Sequence, residues 1–191
     1  MPQTWFTSDL HIGHEFVSKI RGFHTVEAHD KAILDHWEKV VKPEDTIWVL
    51  GDVALGGWRA HIAKLVDLPG TKNLVLGNHD RPHPRNRNGQ NYIQDYMNVF
   101  DSVQTTAYVR YKGKGAVLSH YPYEGEGDSR PADEERDTLW RVRDIGIPLI
   151  HGHTHDKTQI RFSSKGTVQV HVGLDSWDMA FPTIHNVFEN I

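Results

Sequence analysis

Five short polar blocks, each placed after an apolar run, hold the residues of this chain best suited to bind divalent cations. Carboxylate and amide oxygens and imidazole nitrogens are common protein ligands of such ions. In α/β proteins, loops that follow buried strands commonly carry the chemistry. We therefore expect the blocks to converge on one metal centre. In chain order they are Asp9-Leu10-His11, Gly51-Asp52, Gly77-Asn78-His79-Asp80, Ser119-His120 and Gly152-His153-Thr154-His155.

The runs that precede these blocks have the composition of buried strands, which favour β-branched and other apolar residues. They are Thr4–Thr7, Thr46–Leu50, Leu74–Leu76, Ala116–Leu118 and Pro148–Ile150. One block alone would be weak evidence for a metal site, because Asp9 or Asp52 could be an ordinary helix N-cap and Asn78 could be an ordinary turn residue. The repetition of strand and polar block along the chain favours a functional site.

Length and composition indicate a globular protein. The 191 residues fit a single domain, residues 1–191, and 38% of them are hydrophobic and 24% charged. No apolar run is long enough to cross a bilayer, and the first residues lack the pattern of a secretory signal. The chain has no cysteine, so neither a disulfide nor a thiolate ligand is expected. A cytoplasmic location without membrane attachment is the expectation.

The order of apolar patterns predicts the fold class. Strands alternate with helices at Val26–Val41 and from about Trp58 to Leu68, which predicts a largely parallel first sheet. Two hairpins and a final strand follow: Val103–Tyr111 with Ala116–Ser119, Gln159–Phe162 with Thr167–Val172, and Thr183–Phe188. We therefore predict an α/β (α+β) fold, a two-sheet β-sandwich flanked by helices. Residues 81–91 and 121–138 are predicted loops that either border the site or are solvated surface.

The five blocks also resemble a known family. Their order and content are similar to the D-x-H, G-D, G-N-H-[DE], H and G-H-x-H motifs of the calcineurin-like metallophosphoesterase superfamily, and their spacing to its small bacterial and phage-encoded members. The resemblance extends from Asp9 to His155. It implies a four-layer αββα sandwich, in agreement with the pattern above.

The resemblance implies two metal ions and assigns their ligands. Asp9, His11 and His155 would bind one ion, and Asn78, His120 and His153 the other, with Asp52 bridging both. Two dications ~3.5–4 Å apart repel each other, so an anionic bridge is physically reasonable. Nitrogen and oxygen donors without sulfur fit Mn²⁺, Fe²⁺, Co²⁺, Ni²⁺ or Zn²⁺. Mn²⁺ is the preferred expectation, because a bridged site favours five or six ligands per ion.

The resemblance also assigns a mechanistic role beside the ligands. His79 would contact the phosphate or the leaving oxygen, and Asp80 would hydrogen-bond to its imidazole and orient it. His14 and Arg81 are candidate substrate contacts. Arg21, Arg85 and Arg87 are weaker candidates, and His151 and His171 are expected behind the ligands or in the core.

The predicted function is hydrolysis of small phosphodiesters, with nucleotide 2′,3′-cyclic phosphates as the best single guess, by in-line attack of a metal-bridging hydroxide. The alternative is a phosphomonoesterase acting on nucleotides or phosphoproteins, which His79 favours. A nuclease is less favoured because the net charge of −4 argues against a stable nucleic-acid complex. A non-enzymatic assembly subunit is disfavoured because the whole predicted ligand set is present. The oligomeric state is not predicted.

Overall fold

Two β-sheets pack against each other in the computed structural model, which describes residues 2–127 and 136–191. The first sheet is parallel, with the strand order β1 (Thr4–Thr7), β2 (Thr46–Val49), β3 (Thr71–Val75) and β4 (Ser102–Gln104). The second sheet is mixed, with the order β5 (Ala107–Tyr111), β6 (Lys114–Leu118), β7 (Leu149–His151), β9 (Val168–His171) and β8 (Ile160–Phe162). In it, β6, β7 and β9 run parallel, and β5 and β8 pair antiparallel at the edges.

Five α-helices flank the sheets in the described part of the chain. They are α1 (Glu15–Ile20), α2 (Val26–Val40), α3 (Trp58–Ala63), α4 (Ile93–Met97) and α5 (Ile184–Phe188). Short 3₁₀ turns occupy Gly89–Tyr92, Thr138–Trp140 and Leu174–Trp177. None of the described helices is both long enough and apolar enough to cross a bilayer.

Strand β2 shows how the apolar pattern produces two cores. Its alternate side chains point to opposite faces of the sheet. Ile47 and Val49 pack with Trp37 of α2 in the core between the first sheet and the helices. Trp48 and Leu50 lie in the second core, which also contains Leu118 and other residues of the second sheet. The predicted two-sheet sandwich with flanking helices is confirmed.

Two of the predicted strands are wrong in detail. The run Val103–Tyr111 is divided into β4 and β5, which belong to different sheets, so this is where the chain crosses between them. The predicted final strand Thr183–Phe188 is instead the helix α5. Thr183 caps it, because its hydroxyl accepts from the Asn186 N–H while the Asn186 side chain accepts from the Thr183 N–H, and this capping box overrides the β-branched composition.

The remaining differences are smaller. Helix α3 ends at Ala63 rather than near Leu68, and the predicted loop 81–91 contains the start of a 3₁₀ turn at Gly89. Residues 128–135 of the predicted loop 121–138 lie outside the described residues. The parallel strands that matter for the site are in place.

Candidate metal centre

All five polar blocks meet at the carboxyl ends of parallel strands. Asp9 and His11 follow β1, and Asp52 follows β2. The chain continues to pair beyond these strands, because the Asp9 N–H donates to Gly51 O at 3.0 Å and the His11 N–H to Asp52 O at 3.0 Å. From the second sheet, the His153 N–H donates to Asp9 Oδ2 at 2.9 Å. The structure thus brings together residues of the two sheets that are as far apart in the chain as Asp9 and His155.

The first group of predicted ligands is compact. The donor atoms of Asp9, His11 and His155 all lie within 4.8 Å of one another. His11 Nε2 is 3.1 Å from His155 Nε2, and His155 Nε2 is 3.5 Å from Asp9 Oδ1. Asp9 and His11 are buried, whereas His155 is partly exposed. Three predicted ligands therefore face one point at the mouth of the site.

The second group of predicted ligands, Asn78, His120 and His153, is equally compact. His120 Nε2 lies 3.0 Å from Asn78 Oδ1 and 3.2 Å from His153 Nδ1, and His153 Nδ1 lies 3.1 Å from Asn78 Oδ1. Asp52 stands between the groups. Its Oδ2 is 3.7 Å from His11 Nε2 in the first group and 3.6 Å from His120 Nε2 in the second. Its carboxylate is thus within reach of both groups.

These spacings fit a bound cation. Two nitrogen ligands that each lie ~2.1 Å from one ion are themselves about 3.0–3.4 Å apart. The fully buried Oδ1 of Asp9 has no hydrogen-bond partner among the described residues, which is costly for a carboxylate unless a cation satisfies it. The donor set of carboxylate, amide and imidazole is the one expected for divalent transition ions.

The hydrogen bonds behind the imidazoles select the nitrogen that faces the site. His120 Nδ1 is 2.7 Å from the carbonyl oxygen of Leu50, so it carries the proton and leaves Nε2 as an acceptor. His153 Nε2 lies 2.9 Å from the Glu126 carboxylate, and His155 Nδ1 lies 2.9 Å from the Asp175 carboxylate. These two nitrogens therefore also carry the proton. In each ring the nitrogen turned toward the other ligands is therefore the one with a free lone pair.

The backbone at the site is unusual. Residues other than glycine rarely adopt positive φ, although Asp and His do so more often than most. In this protein five of the seven predicted ligands have it: Asp9 (58°), His11 (48°), Asp52 (54°), His153 (74°) and His155 (54°). Each such conformation costs of the order of 1–3 kcal/mol and persists only where the surrounding structure enforces it. This clustering marks the strand ends as a functional site.

Two glycines are required by close approach. Gly51 has φ +92°, and a Cβ there would lie 2.5 Å from the Gly77 backbone nitrogen and 2.6 Å from His120 Nδ1. A Cβ on Gly152 would overlap the Ser8 hydroxyl and lie 2.6 Å from Asp9 Oδ2. Side chains at these positions would displace the ligands, so glycine permits the convergence of the blocks.

Asp80 has a different role from the predicted one. Among the described residues its carboxylate makes no hydrogen bond or ion pair with the His79 imidazole. It is fully buried and accepts N–H hydrogen bonds from Asp52 and Val53 at 3.0 Å each and from Gly77 at 2.8 Å. Asp80 therefore fastens the loop after β3 to the loop after β2, because its buried oxygens are satisfied by backbone donors.

His79 is instead placed above the ligands. Its side chain is 46% exposed, and its Nε2 lies 3.9 Å from Asp52 Oδ2. The backbone N–H of His79 donates to Asp52 Oδ1 at 2.9 Å. Burial and the nearby His120 lower the pKa of His79 to about 4, so its imidazole is neutral at pH 7. A neutral imidazole both donates and accepts one hydrogen bond.

Two cavities flank His79, and Asn78 lines both of them. One, of about 240 Å³, is lined by Leu55, Trp58 and Arg81; the other, of about 260 Å³, by Arg85, Asp137 and His155 among others. The predicted loops 81–91 and 121–138 therefore both border the site with their described residues.

The other candidate substrate contacts have varied surroundings. The Arg81 guanidinium is exposed and makes no hydrogen bond or ion pair with the described residues, whereas Arg85 pairs with Asp137 at 3.0 Å. The His14 ring lies 5.4 Å from the His11 ring, and its Nδ1 accepts from the Val17 N–H as the N-cap of α1. Arg87 is exposed and outside both cavities.

Arg21 is not available to substrate. Its side chain is 3% exposed and its guanidinium is bound to Asp175 and to the Asp9 carbonyl oxygen. His151 and His171 are buried and stack on each other with ring centroids 5.4 Å apart, behind the ligands as predicted.

Sequence reasoning missed Glu126 and Asp175 as partners of His153 and His155. Glu126 lies in the predicted loop 121–138 and Asp175 lies after β9, so both are outside the five polar blocks and the motif pattern did not point to them.

Burial and charge shift the pKa values of the carboxylates in opposite directions. Burial and the neighbouring Asp9 raise the pKa of Asp52 to about 7. Burial acts to raise the pKa of Asp9 as well, but nearby imidazoles, first that of His155, lower it well below its usual range. Burial opposes ionisation of Glu126, yet the hydrogen bond to His153 and other contacts lower its pKa to about 2. Asp9 and Glu126 are therefore ionised at neutral pH, and the negative charge of Asp9 is one cause of the raised pKa of Asp52.

Comparisons with known proteins agree with this site. Residues 2–157 match the family model of the calcineurin-like phosphoesterases. The "Gene 66 protein" of Mycobacterium phage L5 is 44% identical over 188 residues, covering 93% of this chain and 88% of the relative. The "Gene 66 protein" of Mycobacterium phage D29 is 42% identical over 190 residues, covering 95% and 92%. The crystal structure of AQ665 from Aquifex aeolicus, described as a protein of unknown function, has a TM-score of 0.70, 25% identity and full coverage of both chains.

Fold and donor set together define a metal-dependent hydrolase of phosphoric esters. The chain belongs to the calcineurin-like phosphoesterase family, as the match over residues 2–157 shows. The resemblance seen in the sequence is thereby confirmed.

Proposed function

We propose that this protein is a binuclear phosphodiesterase acting on small diesters, with nucleotide 2′,3′-cyclic phosphates as the first substrates to test. The observation that carries the proposal is the placement of Asp52 Oδ2, 3.7 Å from His11 Nε2 and 3.6 Å from His120 Nε2, between two groups of donors. In this proposal one ion is held by Asp9, His11 and His155, the other by Asn78, His120 and His153, and Asp52 contacts both. Mn²⁺ is the ion we expect. When bound, the two ions supply an activated water and neutralise charge on the phosphoryl group.

The residues around the ligands bind and orient the substrate. We propose His79 as the donor to the phosphate or to the leaving oxygen, and its position near Asp52 and in the lining of both cavities supports this role. The free guanidinium of Arg81 and the imidazole of His14 are the proposed further contacts. Each cavity is just below the ~300–1,000 Å³ of typical small-molecule pockets, which supports a substrate of mononucleotide size.

Two cavities on either side of His79 favour a diester, whose phosphate carries two ester oxygens. A phosphomonoesterase is the second candidate, and the exposed imidazole of His79 favours it, because a monoester with a poor leaving group depends on a donor at the leaving oxygen. Within this proposal residues 1–191 form one catalytic domain, with no stable nucleic-acid complex and a cytoplasmic location.

Metal stoichiometry and a substrate panel test the proposal. After loading with Mn²⁺ and desalting, elemental analysis should approach two ions per chain, and Asp52→Asn should lose both ions and activity. The loaded protein should hydrolyse bis-p-nitrophenyl phosphate and 2′,3′-cyclic nucleotides faster than p-nitrophenyl phosphate or an oligonucleotide. Full activity with one ion or none would overturn the binuclear proposal, and a preference for p-nitrophenyl phosphate would favour the monoesterase.

A further inference from the structure

The two histidines of the last block each contact a carboxylate that is itself paired with an arginine. His153 Nε2 lies 2.9 Å from Glu126 Oε2, and the other oxygen of Glu126 lies 2.5 Å from Arg141 Nη2. The Glu126 and Arg141 side chains are 4% and 5% exposed. The Arg136 N–H donates to the same Glu126 oxygen at 2.8 Å. Glu126 is therefore held in one orientation by donors on both sides.

His155 has an equivalent arrangement built from different parts of the chain. Its Nδ1 lies 2.9 Å from Asp175 Oδ2. Arg21, which follows α1, binds both oxygens of Asp175, with Nε at 2.9 Å and Nη2 at 2.7 Å. Such a two-point arginine–carboxylate contact fixes geometry as well as charge.

The two arrangements share no residue and act on different groups of ligands. His153 belongs with Asn78 and His120, and His155 with Asp9 and His11. We propose that Glu126 and Asp175 are positioning residues that set the affinities of the two metal sites separately, Glu126 through His153 and Asp175 through His155. This inference rests on the proposed binuclear function.

The physical reason is the effect of a hydrogen-bonded carboxylate on a metal-binding imidazole. It fixes the tautomer and the ring orientation and raises the basicity of the ligating nitrogen, and its removal typically lowers metal affinity about 10–100-fold. The arginine keeps the carboxylate ionised and fixed in place. It also balances its charge, so that the carboxylate supports the histidine rather than binding a cation itself.

The test isolates each site with a ligand variant. Metal-free protein is titrated with Mn²⁺ while free Mn²⁺ is measured by electron paramagnetic resonance. In His155→Ala, which leaves the site of His153, adding Glu126→Gln should weaken binding of the remaining ion about 10–100-fold. Adding Asp175→Asn should change it by no more than about twofold, the limit for independent sites. In His153→Ala, which leaves the site of His155, adding Asp175→Asn should weaken binding of the remaining ion about 10–100-fold. Adding Glu126→Gln to this variant should change it by no more than about twofold.

Matched controls separate positioning from loss of charge. Glu124→Gln alters a neighbouring acidic residue that binds exposed Ser164, and Asp156→Asn alters a buried carboxylate paired with Arg161. Neither should change Mn²⁺ affinity by more than about twofold. A wild-type protein that binds fewer than two ions overturns the proposed function and this inference with it. Two ions with unaffected variants, or both variants weakening the same site, overturn only the inference.

A second measurement needs no carboxylate variant. In metal-free wild-type protein at alkaline pH, histidine-selective nitrogen NMR should show the Nε2–H tautomer for His153 and the Nδ1–H tautomer for His155, with signals assigned from the two alanine variants. The opposite tautomer at either residue would contradict the inference, even if the carboxylate variants fail to fold.

Discussion

At the scale of single residues, two polar side chains that are neighbours in one sequence motif have different environments in the structure. Asp80 and His79 are neighbours in one motif, yet Asp80 is fully buried and bound to backbone N–H groups, while the His79 side chain is 46% exposed over the ligands. Motif membership alone therefore did not identify the partner of the histidine. Burial and hydrogen bonding show that Asp80 holds the two loops together, whereas the His79 imidazole is exposed over the predicted ligands and is the proposed substrate contact.

We expect His79→Ala to discriminate between substrates. Nitrophenolate departs without protonation, whereas ribose oxygens need a donor, and such assistance typically contributes ~10²–10⁴-fold. The variant should retain two Mn²⁺ ions and lose far more activity on nucleoside monophosphates and 2′,3′-cyclic nucleotides, whose leaving groups are ribose oxygens, than on bis-p-nitrophenyl phosphate. His24→Ala, at an exposed histidine, is the control. Equal losses on all substrates, or loss of an ion, would refute the role of His79.

At the scale of elements, Asp45 joins the first strand to the turn before the second. Its carboxylate accepts from the Gln3 N–H at 2.7 Å, from Trp5 Nε1 at 3.0 Å and from the Lys42 N–H at 3.0 Å. Burial acts to raise the pKa of Asp45, but these hydrogen bonds lower it below its ordinary value. The ionised form is therefore the one that the folded state favours, and it aligns β1 with β2, whose ends carry Asp9 and Asp52.

Asp45→Asn should make the protein less stable in a pH-dependent way. Because the pKa is lower in the folded than in the unfolded state, the stabilisation is complete above about pH 4–5 and is lost as the pH falls below that. Hydrogen bonds to a charged group contribute roughly 1.5–3 kcal/mol each, so a loss of this order is expected at pH 7. The free energy of unfolding is measured in urea from pH 7 to pH 3. The difference between Asp45→Asn and wild type should become smaller as the pH falls. The control variant Asp67→Asn, at an exposed position, should have the same free energy of unfolding as wild type at each pH. A difference that grows toward pH 3 would contradict this assignment.

The elements also show what could be predicted from the sequence. The strands that precede the polar blocks follow from apolar runs, because a parallel sheet buries both faces of its strands. The helix α5 does not follow from the same reasoning, since Thr183–Phe188 has strand-like composition and only the Thr183–Asn186 capping box reveals the helix. Glu126 and Asp175 could not be paired with their histidines, because 27 and 20 positions separate them and only the fold brings them together.

At the scale of the whole molecule, the candidate metal centre joins the two sheets. Asp9, His11, Asp52 and Asn78 follow strands of the first sheet, whereas His120, His153 and His155 follow strands of the second. Each proposed ion would have ligands from both sheets. Metal binding should therefore stabilise the native protein strongly, because the unfolded chain offers no such arrangement.

Thermal unfolding tests this expectation. A ligand that binds only the native state stabilises it by about 2.7 kcal/mol when present at 100 times its dissociation constant. Saturating Mn²⁺ should therefore raise the Tm of metal-free protein by several degrees, and the rise should continue with concentration. The Asp52→Asn variant should show little of it. An unchanged Tm in a protein that binds two ions would contradict the idea that the metals hold the sheets together.

The separation of the ligands along the chain has a consequence for biosynthesis. The first proposed ion needs both Asp9 and His155, which lie 146 positions apart, so a ribosome-bound chain that ends before β7 presents its early ligands without the last two. In this proposal, complete metal binding waits for β7 and the block that follows it, which are synthesised before β8 and β9 of the second sheet. A chain terminated before β7 would carry four of the five polar blocks but would lack His153 and His155, so neither proposed ion would have its full set of ligands.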